Sequence, residues 1–318
     1  MRNMHPYLEK SFDVDYLVLP DKWKKEKGPV RVKYLIYLLL NKRELSKYDF
    51  ILSHSPEGSY MASFSDTPYA HIYHGNSNPM QVGRFRIGKL FAGIYDKMFE
   101  RIERTAALLY TVGPKRNERQ RKLYNPLNQN VSPIPFEERH GFIFAGRLEV
   151  VKNIDRLIRI YAQLPSDIRE KNPFYIAGYG SLENELKTLT EELELGKQVV
   201  FLGNIPNAEM MKLDADKRIL LMASKTEGFP TAIAEALSVG VPVVSTDVGD
   251  IASIVKNGEN GILLPSGFED EDYLKAINTV LENYEHYAQN ALSSSKVFNG
   301  RNVTLQVVND IVNYEKHQ

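Results

Sequence analysis

Cysteine is absent from this 318-residue chain. Disulfides and thiolate metal sites are therefore excluded, and the absence fits a reducing compartment. Long apolar runs are missing too. The longest strongly apolar stretch is Tyr34–Leu40, YLIYLLL, against roughly 18 residues for a membrane-spanning helix. The opening MRNMHPYLEK has no apolar centre, so no secretory leader is expected. Residues 1–20 contain no glycine. No internal repeat and no low-complexity segment is visible. No recognised nucleic-acid-binding motif accompanies the basic residues, so no nucleic-acid partner is expected.

Net charge is also missing, but only on average. Residues 1–140 hold 23 Lys/Arg against 15 Asp/Glu, and the rest of the chain 17 against 25. Such asymmetry suggests different partners for the two halves, or two halves that complement each other.

What is present is a regular alternation. From Gly141 onward, GFIFAGRL, PFYIAGYG, QVVFLG, RILLMAS, VPVVSTD and GILLP read as short buried strands. Between them, NIDRLIRIYAQL, LENELKTLTEEL, the segment after Pro230 and IASIVKNG read as helices. The expected fold class is α/β, with doubly wound parallel sheets. The first half repeats the rhythm less clearly. VDYLVLP, DFILSHS, YAHIYHG and ALLYTVG read as strands, with a helix over residues 84–104. The polar, proline-bearing stretch Asn125–His140 reads as a linker. The expected division is 1–135, 136–295 and a C-terminal helix at 296–318 that returns toward the first domain.

In open parallel sheets, ligands bind beyond the carboxyl ends of the strands. The residues there share a chemistry. Arg147 and Lys152 follow the first strand of the second half, Gly178 the second, Ile205 the third, and Glu227-Gly228-Phe229-Pro230-Thr231 the fourth. Arg offers a planar fork of donors for phosphate and Lys a mobile charge. A helix opening after Pro230 presents free amides and a positive dipole end, which favour a diphosphate. Carboxylates accept paired hydrogen bonds from vicinal sugar hydroxyls. Glu227 lies before that helix, and Glu235 about five residues past Pro230, roughly 7 Å along the axis. Two carboxylates flanking a diphosphate site could hold a hexose and a ribose.

FAGRLEVVKNIDRLIRIYAQL, YIAGYGSLENELKTL, VVFLGNI and EGFPTAIAEALSVGVPVVSTDVGDIASIVKNGENGILLP resemble the nucleotide-sugar domain of retaining glycosyltransferases of family 4, which have the GT-B fold. The likeness covers about Phe142–Pro265, and EGFPTAIAE resembles that family's E-x7-E signature. The resemblance implies two Rossmann-like domains facing a cleft. It implies that Glu227 contacts the donor sugar, with Gly228, Phe229, Pro230 and Thr231 near sugar and phosphate. Glu235 would bind the ribose, Arg147 and Lys152 the diphosphate, and the backbone near Ile205 the base. IYHGN resembles the family's strand ending in a histidine near the donor sugar, here His74, and LLYTVGPKRNERQRKLY its last strand and following helix. The family's opening strand and Gly-rich loop have no counterpart in residues 1–20, so the first domain is expected to be short.

The implied activity is hexosyl transfer from a nucleotide diphosphate sugar, UDP by family habit, with GDP also compatible. The acceptor would be a glycan or lipid-linked glycan of a bacterial surface polysaccharide. No cofactor or metal is expected, since the DAD at Asp214–Asp216 reads as part of a surface helix. A cytoplasmic chain is expected, touching the inner face of the plasma membrane peripherally through an anionic lipid surface. The rival readings are a nucleotide-sugar-binding scaffold without transfer, and an epimerase or phosphorylase of the same fold.

Overall fold

The computed structural model describes residues 2–25, 27–74, 92–127, 131–228 and 230–317. The chain forms two units, residues 1–126 with 303–318, and residues 127–302.

The first unit is built on four parallel strands in the order β1-β2-β3-β4. They are β1 (Ile51–Ser53), β2 (Tyr69–Tyr73), β3 (Leu108–Thr111) and β4 (Gln120–Lys122). Strands β2 and β3 are buried at every position, as central parallel strands must be. Around them lie α1 (Val30–Leu40), α2 (Pro56–Ala62) and α3 (Ala92–Thr105). Helix α2 begins at Pro56 with Ser55 as its cap, its hydroxyl accepting the Gly58 amide at 2.9 Å. Helix α1 buries Leu38 and leaves Val32, Ile36, Leu39 and Leu40 exposed.

Two expectations for this unit need correction. VDYLVLP forms no strand, because no neighbouring strand pairs with it. Residues 120–122, expected to be helix or solvated loop, form β4 against β3. Its sequence Gln-Arg-Lys is polar because it is an edge strand. Of the expected helix at 84–104, residues 84–91 lie outside the described residues.

The second unit holds a six-stranded parallel sheet in the order β10-β9-β8-β5-β6-β7. The strands are β5 (Phe142–Ala145), β6 (Phe174–Ala177), β7 (Val199–Gly203), β8 (Ile219–Met222), β9 (Val243–Thr246) and β10 (Gly261–Leu264). The chain winds outward from β5 through β6 to β7, then crosses back to β8 on the other side of β5. The order therefore reverses between β5 and β8, and a crevice opens at such a switch point.

Helices α4 (Ile154–Ala162), α5 (Glu183–Glu192), α6 (Asn207–Asp214), α7 (Thr231–Ser238), α8 (Asp270–Glu282) and α9 (Tyr284–Ser294) accompany this sheet. Phe142, Phe144, Leu157, Tyr161, Phe174, Ile219 and Ile277 belong to its core. The buried Tyr273 hydroxyl accepts the Met222 amide at 3.0 Å and donates to the Val244 carbonyl at 2.8 Å, tying α8 to β8 and β9. IASIVKNG, expected as a helix, is only a 3-10 turn at Ile251–Ser253. A last helix, α10 (Gly300–Lys316), spans the division between the units.

Two parallel sheets with alternating helices make this an α/β protein with two Rossmann-like units. Among the described residues, no helix is long and apolar enough to cross a membrane.

Candidate functional site

The loops beyond β5 and β8 meet at the switch point of the second unit. After β5, the chain passes Arg147 and a 3-10 turn, Val150–Lys152. It enters α4 through Asn153, which is left-handed with φ 57°. Asn tolerates that conformation better than most residues with a side chain. The turn delivers Lys152 toward the β8 loop, and the Lys225 amide donates to the Val151 carbonyl at 2.8 Å, joining the two loops.

Glu227 is the meeting point. Its Oε1 forms an ion pair with Lys152 Nζ and accepts the Ser224 hydroxyl at 2.7 Å. Both ion-pair side chains are largely enclosed, at 15% and 10% exposure, so the pair is better shielded than one at the surface. Ser224 is itself held: its carbonyl accepts the Thr246 hydroxyl at 2.7 Å. Gly249 packs against the backbone of Glu227. A Cβ there would stand 2.0 Å from the Glu227 carbonyl oxygen, and its φ is +64°.

Helix α7 starts just after this acid. Pro230 precedes it, and no side chain caps its first turn. Its first amides are therefore available to a ligand. Thr231 is exposed at that end, and a Cβ added at Gly228 would meet nothing within 4 Å. Phe229 lies outside the described residues. Arg147 is exposed, and its side chain makes no hydrogen bond or ion pair with another described residue. Gly178 and Ile205 lie at the ends of β6 and β7, further along the same rim. A Cβ at Gly178 would lie 1.8 Å from the Gly146 carbonyl. Its lack of a side chain thus serves the close approach of two strand-end loops. The Gly178 amide donates to the Gly203 carbonyl at 2.8 Å.

Glu235 is one turn into α7, between the buried Ala234 and Ala236. Burial pushes its carboxyl up to about 7. Behind it, at the end of α6, stands Asp214, wholly buried, with neither carboxyl oxygen hydrogen-bonded among the described residues. Burial, with the nearby Glu235 carboxyl, raises Asp214 well above the usual carboxylate range. This corrects the expectation of a surface helix at 214–216. The helix ends at Asp214, which faces inward, and residues 215–216 form a turn; a pattern of alternating charged residues gave no sign of it.

His74 belongs to the first unit, at the end of β2, and is exposed. His54 stands at the end of the neighbouring β1, its Nδ1 3.2 Å from His74 Nε2. Gly249 and His54 were absent from the sequence-based site. His54 at least sits at a strand end, where a ligand rim is expected. Gly249 carries only a weak signal, a glycine in the loop after a strand.

Among the described residues, no cluster of three or more His, Asp or Glu could hold a metal ion. A separate groove of about 560 Å³ lies over α4 and α5, lined by Asp155, Arg159, Glu185, Glu192 and Lys225. It contains none of Arg147, Lys152 or Glu227.

Comparison with known proteins bears on the second unit. The family model described as glycosyl transferases group 1 matches residues 129–293, just over half of the chain. An Escherichia coli protein named O-antigen chain mannosyltransferase B is 28% identical over 172 residues, covering 52% of this chain and 44% of that protein. A Campylobacter jejuni protein named N-acetylgalactosamine-N,N'-diacetylbacillosaminyl-diphospho-undecaprenol 4-alpha-N-acetylgalactosaminyltransferase is 31% identical over 200 residues, covering 59% and 52%. The chain thus spans about half the length of these curated relatives. Among solved structures, Anabaena Alr3699/HepE in complex with UDP superposes with a TM-score of 0.69 at 20% identity, covering 87% of this chain and 82% of that one. Sucrose-phosphate synthase from Thermosynechococcus elongatus gives 0.68 at 16%, covering 97% and 83%. At such identities these structures speak for the fold alone.

Proposed function

The chain belongs to the glycosyl transferases group 1 family, and from that premise we propose that it transfers a hexosyl group from a nucleotide diphosphate sugar, with retention at the anomeric carbon. The observation that carries this reading is the Lys152–Glu227–Ser224 constellation, held at the sheet's switch point immediately before the uncapped start of α7. That places a cation, a carboxylate and free amides side by side, matching a sugar hydroxyl next to a diphosphate.

In this reading the chain is a family 4 enzyme, and Glu227 and Glu235 are its E-x7-E pair. Lys152 neutralises Glu227 before the donor arrives. With the donor bound it turns to the diphosphate, joined by Arg147 and the α7 amides, while Glu227 accepts from the sugar hydroxyls. Glu235 accepts from the ribose, and the loop at Ile205 meets the base. The first unit contributes His74, which bonds to the transferred sugar. The bond from the anomeric carbon to the leaving phosphate oxygen breaks, and a bond to the acceptor oxygen forms on the same face. The acceptor proton passes to the leaving phosphate. Negative charge growing on that phosphate is stabilised by preorganised donors, so no metal is assigned a role.

UDP is the favoured nucleotide. It is present in the Alr3699/HepE complex, a protein of the same fold. The acceptor class proposed is a glycan or a lipid-linked glycan of surface polysaccharide synthesis, since the relatives above are named for an O-antigen chain and a diphospho-undecaprenol substrate. A lipid-linked acceptor would bring the chain to an anionic membrane surface. The exposed apolar face of α1, flanked by exposed Lys22, Lys24, Lys25, Lys42 and Arg43, suits such contact.

The test is a transfer assay with UDP-, GDP- and ADP-sugars and a panel of undecaprenyl-diphosphate glycans. Nucleotide diphosphate release that depends on acceptor, in the presence of EDTA, is the expected result. Nucleotide binding with no acceptor-dependent release from any donor would contradict the enzyme reading.

A further inference from the structure

Three histidines gather at the carboxyl ends of β1 and β2. His71, inside β2, is buried, and its Nδ1 is 2.6 Å from the Ser59 hydroxyl. His54 and His74 stand above it, one at the end of each neighbouring parallel strand. His54 Nδ1 and His74 Nε2 are 3.2 Å apart, and the ring centroids 5.4 Å. The strand pairing sets this meeting: Ser53 pairs with His71, so the chain one residue past β1 and three past His71 emerges on the same rim.

Two nitrogens at that distance share one proton between them. If both rings were charged, each would point a donor at the other, so the contact requires at least one neutral ring. Partial desolvation lowers both His54 and His74 below the ordinary histidine value, the neighbouring His74 lowers His54 further, and each of these shifts favours the neutral form.

We propose that His54 is a positioning residue for His74: it fixes the His74 ring in the Nε2–H tautomer by accepting that hydrogen at its own Nδ1. Both rings then keep the ordinarily preferred Nε2–H form. The other nitrogen of His74, Nδ1, has no partner among the described residues and is an acceptor for one hydroxyl of the sugar ligand. Which ring nitrogen carries the proton is set by the partner of the other. Without His54, His74 can rotate, and it exchanges between a form that accepts the ligand hydroxyl and one that does not. The inference rests on the proposed contact between His74 and the transferred sugar for its catalytic consequence, but not for the tautomer itself.

The tautomer is read directly by long-range 1H–15N spectra of the full chain labelled at histidine. His54→Ala, His54→Asn and His74→Ala serve for assignment and comparison. The wild type should show His74 nitrogen shifts of a single Nε2–H form. In His54→Ala they should move toward the averaged values of an exchanging pair. In His54→Asn the side-chain oxygen can take the place of Nδ1, and the single form should return. UDP affinity should stay within about twofold in all three variants. Turnover should fall about tenfold or more in His54→Ala and recover in His54→Asn, the size of effect typical of a residue that orients a functional imidazole. His74 shifts that are identical in wild type and His54→Ala would overturn the positioning role. A normal tautomer response without any sugar transfer would instead tell against the proposed function and leave the positioning role standing.

Discussion

Glu235 illustrates how a single side chain couples binding to proton concentration. Its carboxyl is raised to about 7 by burial, and to accept two ribose hydroxyls it must be ionised. UDP affinity should therefore rise as pH increases through about 7, and calorimetry at pH 6 and pH 8 checks this. Glu235→Gln should flatten the profile and bind weakly throughout. The same shift has a stability consequence. The folded chain holds this proton more tightly than the unfolded chain, so the stabilisation is complete below the unfolded value and fades as pH rises toward 7. Glu235→Gln should accordingly raise Tm at pH 8 relative to wild type more than it does at pH 5. At Lys152, removal of the ammonium leaves the Glu227 carboxylate with Ser224 as its one hydrogen-bond partner among the described residues and takes a cation from the diphosphate. Lys152→Ala should lower turnover on the order of a hundredfold, in line with losing one contact to a developing anion; near-normal turnover would remove Lys152 from that role. Of these residues, Lys152, Glu227 and Glu235 were legible as charged groups at strand ends and helix starts. The inward-facing Asp214 was not, because burial depends on how α6 packs rather than on local sequence.

Among the elements, the loops around α7 decide whether the acids are held in place. Two glycines there separate fold from ligand contact. Gly249 has positive φ and leaves no room for a Cβ beside the Glu227 carbonyl, whereas Gly228 has open space around it. Gly249→Ala should cost about 1–3 kcal/mol of stability and weaken UDP binding. Gly228→Ala should leave Tm unchanged and weaken UDP binding alone. Thermal unfolding and calorimetry on both variants separate the two roles. The strands of the second unit and helices α4, α5 and α7 were legible because each is a short apolar run or an amphipathic period between clear turns. The two misreadings in the first unit have a common physical cause. VDYLVLP has strand-like composition but no neighbouring strand, and β4 has a neighbour but no apolar composition. Pairing is non-local, and a local pattern does not report it.

Over the whole molecule, the C-terminal helix ties the last residues of the chain to the first unit. Asp310 accepts from the Tyr110 hydroxyl at 2.9 Å and pairs with Arg121, and Gln306 donates to the Lys122 carbonyl at 2.9 Å. Tyr110 is fully buried, so Asp310→Ala strands its hydroxyl and should cost about 1–3 kcal/mol, seen as a lower Tm. The excess of basic residues in the first half was legible in the sequence, but the exposed face of α1 was not, since YLIYLLL alone reads as core. If that face meets lipid, Ile36→Glu should abolish co-sedimentation with phosphatidylglycerol vesicles while leaving UDP affinity unchanged. Retention on the vesicles would contradict the proposed membrane contact. The central claim, a nucleotide diphosphate held between Lys152, the α7 amides and Glu235, is tested most directly by titrating UDP into the wild-type chain and into Glu235→Ala in the calorimeter at pH 8. Saturable one-to-one binding that weakens at least about tenfold in the variant is the predicted result, and equal affinity in the two proteins, or no binding to either, would contradict it.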